Sequence, residues 1–138
     1  MIQLTIGQTA TRAIKITDDM VRRYADLTGD VNPLHFDDEF VRRTRFGERI
    51  THGGLTIGLI SAIVGTELPG PGTAFVSQNF RFANPVYIGD TITAKVEVIA
   101  VKPDRLMAQL SVNVTRQDGA PVLQGEVWVY LTPQETTV

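Results

Sequence analysis

Three segments in the C-terminal half of the chain alternate apolar and polar residues with period two. In Thr91–Val98, Ile92, Ala94, Val96 and Val98 fall on one side. In Leu106–Thr115, Leu106, Ala108, Leu110, Val112 and Val114 oppose Met107, Gln109, Ser111, Asn113 and Thr115. In Leu123–Leu131, Leu123, Gly125, Val127, Val129 and Leu131 oppose Gln124, Glu126, Trp128 and Tyr130. Period two is the mark of a strand with one buried face. The connectors Lys102-Pro103-Asp104 and Gln117-Asp118-Gly119 are too short for a crossover, so these strands are expected to pair antiparallel with their sequence neighbours. Thr73–Phe82, rich in aromatic and β-branched residues, adds a strand, and Leu4–Ile16 reads as an opening β segment.

Strands of this kind need something to bury against. The segment from His52 to Gly65 supplies it, with Leu55, Ile57, Leu59, Ile60, Ala62, Ile63 and Val64 distributed around a helix. A helix apolar on all sides is expected to be buried. Its small residues Gly54, Gly58 and Ser61 would keep one side thin, so that a sheet can wrap it. Thr51 is the expected N-cap. Leu68-Pro69-Gly70-Pro71-Gly72 closes the helix with a loop. One such helix with a run of antiparallel strands argues an α+β layer fold. An earlier helix starts at Thr17 or Asp18, carries Met20, Val21, Tyr24, Ala25 and Leu27 at helical spacing, and stops at Gly29. Gln134–Val138 reads as a frayed tail.

The residues that carry chemistry lie between the two helices. Asp30, Asn32 and His35 stand within six residues around Pro33. Proline fixes its own φ and keeps Asn32 out of the α region, so the chain must bend here. A bend can bring His35 back beside Asp30. Two readings stay open: a general acid/base pair, or a polar turn whose side chains satisfy nearby amides. The chain has two histidines, and the second, His52, precedes Gly53 and Gly54. A helix start offers unpaired N–H groups and partial positive charge. Glycine there lets a ligand approach, which suits a developing oxyanion. The competing reading is that Gly53 and Gly54 serve packing and His52 is a hydrogen-bonded structural histidine.

The pattern Asp30-x-Asn32-Pro33-x-His35-x-Asp37, with Phe46, His52-Gly53 and Gly89-Asp90, resembles the MaoC-like family of (R)-specific enoyl-CoA hydratases. The resemblance runs from about Ile14 to Leu131. It implies a hotdog fold formed by residues 1–138 as a single domain, acting on an acyl-CoA thioester without a cofactor. It implies that Asp30 and His35 act on water, that Asn32 orients them and that the N–H of Gly53 meets the thioester oxygen. Ser61 matches a serine near the site in bacterial members. The same residues would suit dehydration of a 3-hydroxyacyl thioester on an acyl carrier protein. A non-catalytic acyl-CoA-binding subunit would be expected to lack Asp30 or His35. Hotdog domains normally dimerise, and a homodimer is expected; Trp128 and Tyr130, on the polar face of the last strand, are candidates for the subunit contact.

Composition narrows the remaining classes. A net charge of −2 gives no electrostatic case for nucleic acid or an anionic membrane. Cysteine is absent, which removes disulfide and thiolate chemistry. Two histidines far apart in sequence are not expected to form a metal cluster. The N-terminus lacks the charged and apolar regions of a signal peptide, and Leu55–Val64 is too short to span a bilayer. A soluble cytoplasmic enzyme is the expectation. Arg42, Arg43, Arg45 and Arg49 read as solvent-exposed cations, with phosphate contact as the alternative.

Overall fold

The structure is a computed structural model and describes residues 3–133. The expected C-terminal tail, 134–138, lies outside the described residues. Strand β1 (Thr9–Lys15) leads into helix α1 (Asp18–Thr28), a 3-10 turn (Pro33–His35) and the short helix α2 (Asp38–Arg42). Helix α3 (Gly53–Thr66) is followed by β2 (Thr73–Phe82), β3 (Thr91–Lys102), a second 3-10 turn (Pro103–Arg105), β4 (Met107–Arg116) and β5 (Pro121–Leu131). The strands form one antiparallel sheet in the order β1-β3-β4-β5-β2. Helix α3 packs against it, the hotdog arrangement that the family resemblance implied.

The period-two pattern becomes a burial pattern. Ile92, Ala94, Val96, Val98, Leu110, Val112, Val114, Leu123, Val127 and Val129 are each sealed from solvent, facing Leu59, Ile60, Ile63 and Val64 of α3. Burying each such Val, Leu or Ile side chain stabilises the fold by about 1.5–3 kcal/mol before entropy is counted. The two short turns join β3 to β4 and β4 to β5 as antiparallel neighbours. Strand β3 runs past Val98 to Lys102, with a bulge between Val98 and Ala100 that shifts its register against β4. The first strand starts later than expected, at Thr9, because Gly7 (φ +97°) turns the chain and Gln8 N–H donates to Thr5 O.

Three expectations about the helices change. Helix α3 is apolar throughout, yet Gly58 and Ser61 are exposed, so the sheet covers one side of it only. Its N-cap is His52 rather than Thr51, and no side chain caps it. Thr51 instead donates its N–H to Val86 O, which buries its hydroxyl away from the helix start. In α1, Val21 and Ala25 are buried, but Leu27 is 85% exposed, because the helix rests on the molecule through one narrow face. The outer aromatics differ from each other: Trp128 is half-buried under the Lys102 ammonium, 5.1 Å from its ring, while Tyr130 is exposed.

Candidate active site

Helix α1 delivers the first functional residue. Thr17 caps its start by accepting from the Met20 N–H, and Gly29, at φ +78°, ends it in the left-handed conformation. That turn sends the chain away from the helix axis, and Asp30 follows with its side chain exposed. Asn32 does local work: its Oδ1 accepts from Leu34 N–H at 3.0 Å and caps the 3-10 turn that Pro33 begins. His35 closes this turn and is buried, 6% exposed.

His35 is fixed at two points. Its Nδ1–H donates to Ile50 O at 2.7 Å. Its own carbonyl accepts from Arg49 Nε at 2.7 Å, and Arg49 is in turn paired with Asp18 at the start of α1. Arg49 is therefore a structural clamp, unlike the exposed Arg42, Arg43 and Arg45. With Nδ1 protonated, the lone pair of His35 lies on Nε2. Burial holds the His35 pKa below its ordinary value; the Ile50 carbonyl and Asp30 pull it up, and His52 and Arg49 push it down. The ring is thus a neutral acceptor near neutral pH.

The second histidine stands directly behind the first. The His35 and His52 ring centroids are 3.8 Å apart with 35° between the planes. On His52, Nε2–H donates to the Asp30 carbonyl at 2.9 Å, while Nδ1 is buried without a partner. The Tyr24 ring also stacks on His52, at 4.6 Å. Gly54 makes room for it, since a Cβ there would fall 1.8 Å from Tyr24 Oη. The thin position on α3 thus receives α1 rather than the sheet. Gly58, by contrast, faces nothing within 4 Å.

Asp30, His35 and His52 each bring a ligand-type atom within 4.8 Å of the others. Sequence distance had suggested that the histidines stay apart; the fold unites them because Ile50 pairs with Tyr87 and runs its chain against the 3-10 turn. As a cation site the trio is poorly disposed. Each histidine commits one nitrogen to a carbonyl, and stacked rings send their in-plane lone pairs side by side rather than toward one point. The arrangement suits proton transfer better.

Gly53 opens α3 and is exposed. No side chain caps this helix start, and its N–H is among those with no intrahelical acceptor. A cleft of about 290 Å³ reaches it, lined by His52, Thr56, Arg45, Phe46 and Phe82 among others, with neither Asp30 nor His35 in its wall. Ser61 stands two turns further along α3, on its exposed side. Gly89 and Asp90 form a remote turn, in which Asp90 accepts from Tyr87 N–H and Gln117.

A model of the MaoC like domain matches residues 2–119. The chain belongs to the MaoC-like family. A 3-hydroxybutyryl-CoA dehydratase of Methylorubrum extorquens is 43% identical over 96% of this chain and 83% of its own length. An (R)-specific enoyl-CoA hydratase of Rhodospirillum rubrum is 40% identical over 89% of this chain and 85% of its own. The solved (R)-hydratase of Aeromonas caviae superposes with a TM-score of 0.88 at 38% identity, covering 94% of this chain and 98% of that one. The MaoC-like assignment and the hotdog fold rest on these matches and on the sheet described above. Among the described residues no helix is long and apolar enough to cross a membrane.

Proposed function

We propose that this MaoC-like chain hydrates trans-2-enoyl-CoA to (R)-3-hydroxyacyl-CoA, and that Asp30, His35 and Gly53 carry the reaction. The observation behind this is the neutral, buried His35, a ring nitrogen of which lies within 4.8 Å of an Asp30 carboxylate oxygen. The named relatives supply the substrate class.

Hydration adds a hydroxyl to the β carbon and a proton to the α carbon. Asp30 and His35 Nε2 both accept hydrogen bonds, so together they hold one water by its two hydrogens. His35 takes one proton as the water oxygen bonds to the β carbon. The π electrons move onto the thioester, whose oxygen becomes negative. The Gly53 N–H and the positive end of α3 stabilise that oxygen. His35 then returns its proton to the α carbon, which restores the C=O bond and the neutral ring. Asn32 serves by holding the turn that carries His35. The steps run equally well backwards, so dehydration of a 3-hydroxyacyl thioester uses the same groups.

The expected homodimer belongs to the same proposal. Strand β2 is an open sheet edge with Val76 57% and Phe82 54% exposed, the kind of edge that invites pairing. The exposed strip of α3 bearing Gly58 and Ser61 is a second candidate contact, and Ser61 would act only where substrate or a second chain lies along it. Sedimentation showing only a 15.2 kDa species that is fully active would overturn the dimer. A cytoplasmic location and a single domain over residues 1–138 complete the proposal. Its central test is turnover of crotonyl-CoA with chiral analysis of the product. An (S) product, or no product from folded protein, would sink it.

A further inference from the structure

His52 has the environment of a group with more to do than fill space. It is 2% exposed, yet it lies between two other rings, Tyr24 on α1 and His35 on the 3-10 turn. Its single hydrogen bond, from Nε2, goes to the main chain of Asp30 rather than to a carboxylate. Asp30 has no other strong tether: its N–H reaches Thr28 Oγ1 at 3.2 Å, and its Oδ1 meets the Asn32 N–H at 3.4 Å, both at the long end for hydrogen bonds.

We propose that His52 is a positioning residue, whose Nε2–H holds the Asp30 peptide and whose ring backs His35, so that carboxylate and imidazole face the same water. This rests on the hydratase reading for its meaning in catalysis, but its geometry stands without substrate. The bond to the Asp30 carbonyl requires hydrogen on Nε2, so the neutral ring leaves Nδ1 bare, and Nδ1 is the buried atom without a partner. The groups facing the pair are Tyr24 from α1, Asp30 from the loop, and Arg49, which is held by Asp18.

The chain's two histidines give two imidazole spin systems, so ¹⁵N spectra of the free protein read both tautomers directly. The expected result is Nδ1–H on His35 and Nε2–H on His52. Nδ1–H on His52 would overturn the proposal. Two variants follow it into catalysis. Gln places its amide nitrogen where Nε2 lies and keeps the donor; Asn cannot reach. With crotonyl-CoA, His52→Gln is expected to retain most of kcat, and His52→Asn to lose on the order of 10²-fold, as a small misplacement does. Equal kcat for the two folded variants would reduce His52 to core packing. If His52→Asn does not fold, His52→Gln decides: kcat close to wild type supports the tether, and a folded His52→Gln that loses kcat about 10²-fold or more overturns it. Wild-type protein that shows the expected tautomers but no turnover would overturn the hydratase reading alone.

Discussion

The sheet and the segment from Asp30 to Thr56 are held by different physics. In β3, β4 and β5 the inward residues are Val, Leu, Ile and Ala, and each is one of many that bury similar area. Loss of one leaves a cavity but no orphaned polar group. The site segment has few such residues. It depends on single hydrogen bonds: Asn32 to Leu34, His35 to Ile50, Arg49 to His35 and His52 to Asp30. The sheet is stable through redundancy, whereas the site is specific because each contact occurs once. Damage to the first should therefore appear in stability, and damage to the second in turnover.

The sharpest break of that contrast is at His35. His35→Gln and Asp30→Asn are each expected to lower kcat by about 10²–10⁴-fold, with melting temperatures close to wild type. Unfolding of both would show that the site also supports the scaffold. The mirror experiment is Leu110→Ala, buried at 0% exposure in the middle of β4. It should cost about 2–5 kcal/mol in denaturant unfolding, with kcat per folded molecule unchanged; a large kcat defect would mean that the sheet transmits strain to the site.

Gly54→Ala tests the seam between the regions. Its Cβ must displace Tyr24, at a cost of about 1–3 kcal/mol, and the stack on His52 is lost with it. Tyr24→Phe in the same chain removes the oxygen lying 1.8 Å away and should recover part of the stability, which a double-mutant cycle by thermal melting would read.

Protonation gives a gentler probe. The folded pKa of His35 lies below its unfolded value of about 6.5. Above that value the ring is neutral in both states. As pH falls from there toward the lowered folded value, the unfolded chain binds the proton first and stability drops. Urea melts from pH 7.5 down to 5.5 should show this fall, and His35→Gln should flatten it; identical slopes would place His35 in a solvated setting. The smallest effect belongs to Thr51→Val. The Thr51 hydroxyl is buried with no partner, so replacement by an isosteric methyl should leave stability unchanged or raise it by about 1 kcal/mol. A clear loss would reveal a bridging water at that oxygen.

The same contrast explains what could be read in advance. Alternation reveals buried strands because burial acts on every second residue, so Val96, Leu110 and Val127 were legible as core. Asp30, His35 and Gly53 stood out as candidates through the motif resemblance, while their residue types alone left a polar turn and a packed helix start open. Arg49 was not: its partners Asp18 and His35 lie 31 and 14 residues away, and nothing local separates a clamp from a surface cation. Tyr24 was visible only as a helical apolar position. Thr51 looked like a cap by residue type, but its N–H was claimed by Val86, and tertiary pairing outweighed local preference. Ser61 matched by motif while facing outward from α3.

The tether from His52 ends on the Asp30 carbonyl, an atom that every amino acid possesses. The path of that loop is therefore written without reference to the side chain at position 30. A saturation library at this one codon would present different chemical groups from a constant backbone, facing the same imidazole. The position is a ready socket for altering which group, or none, holds the water beside a bound thioester.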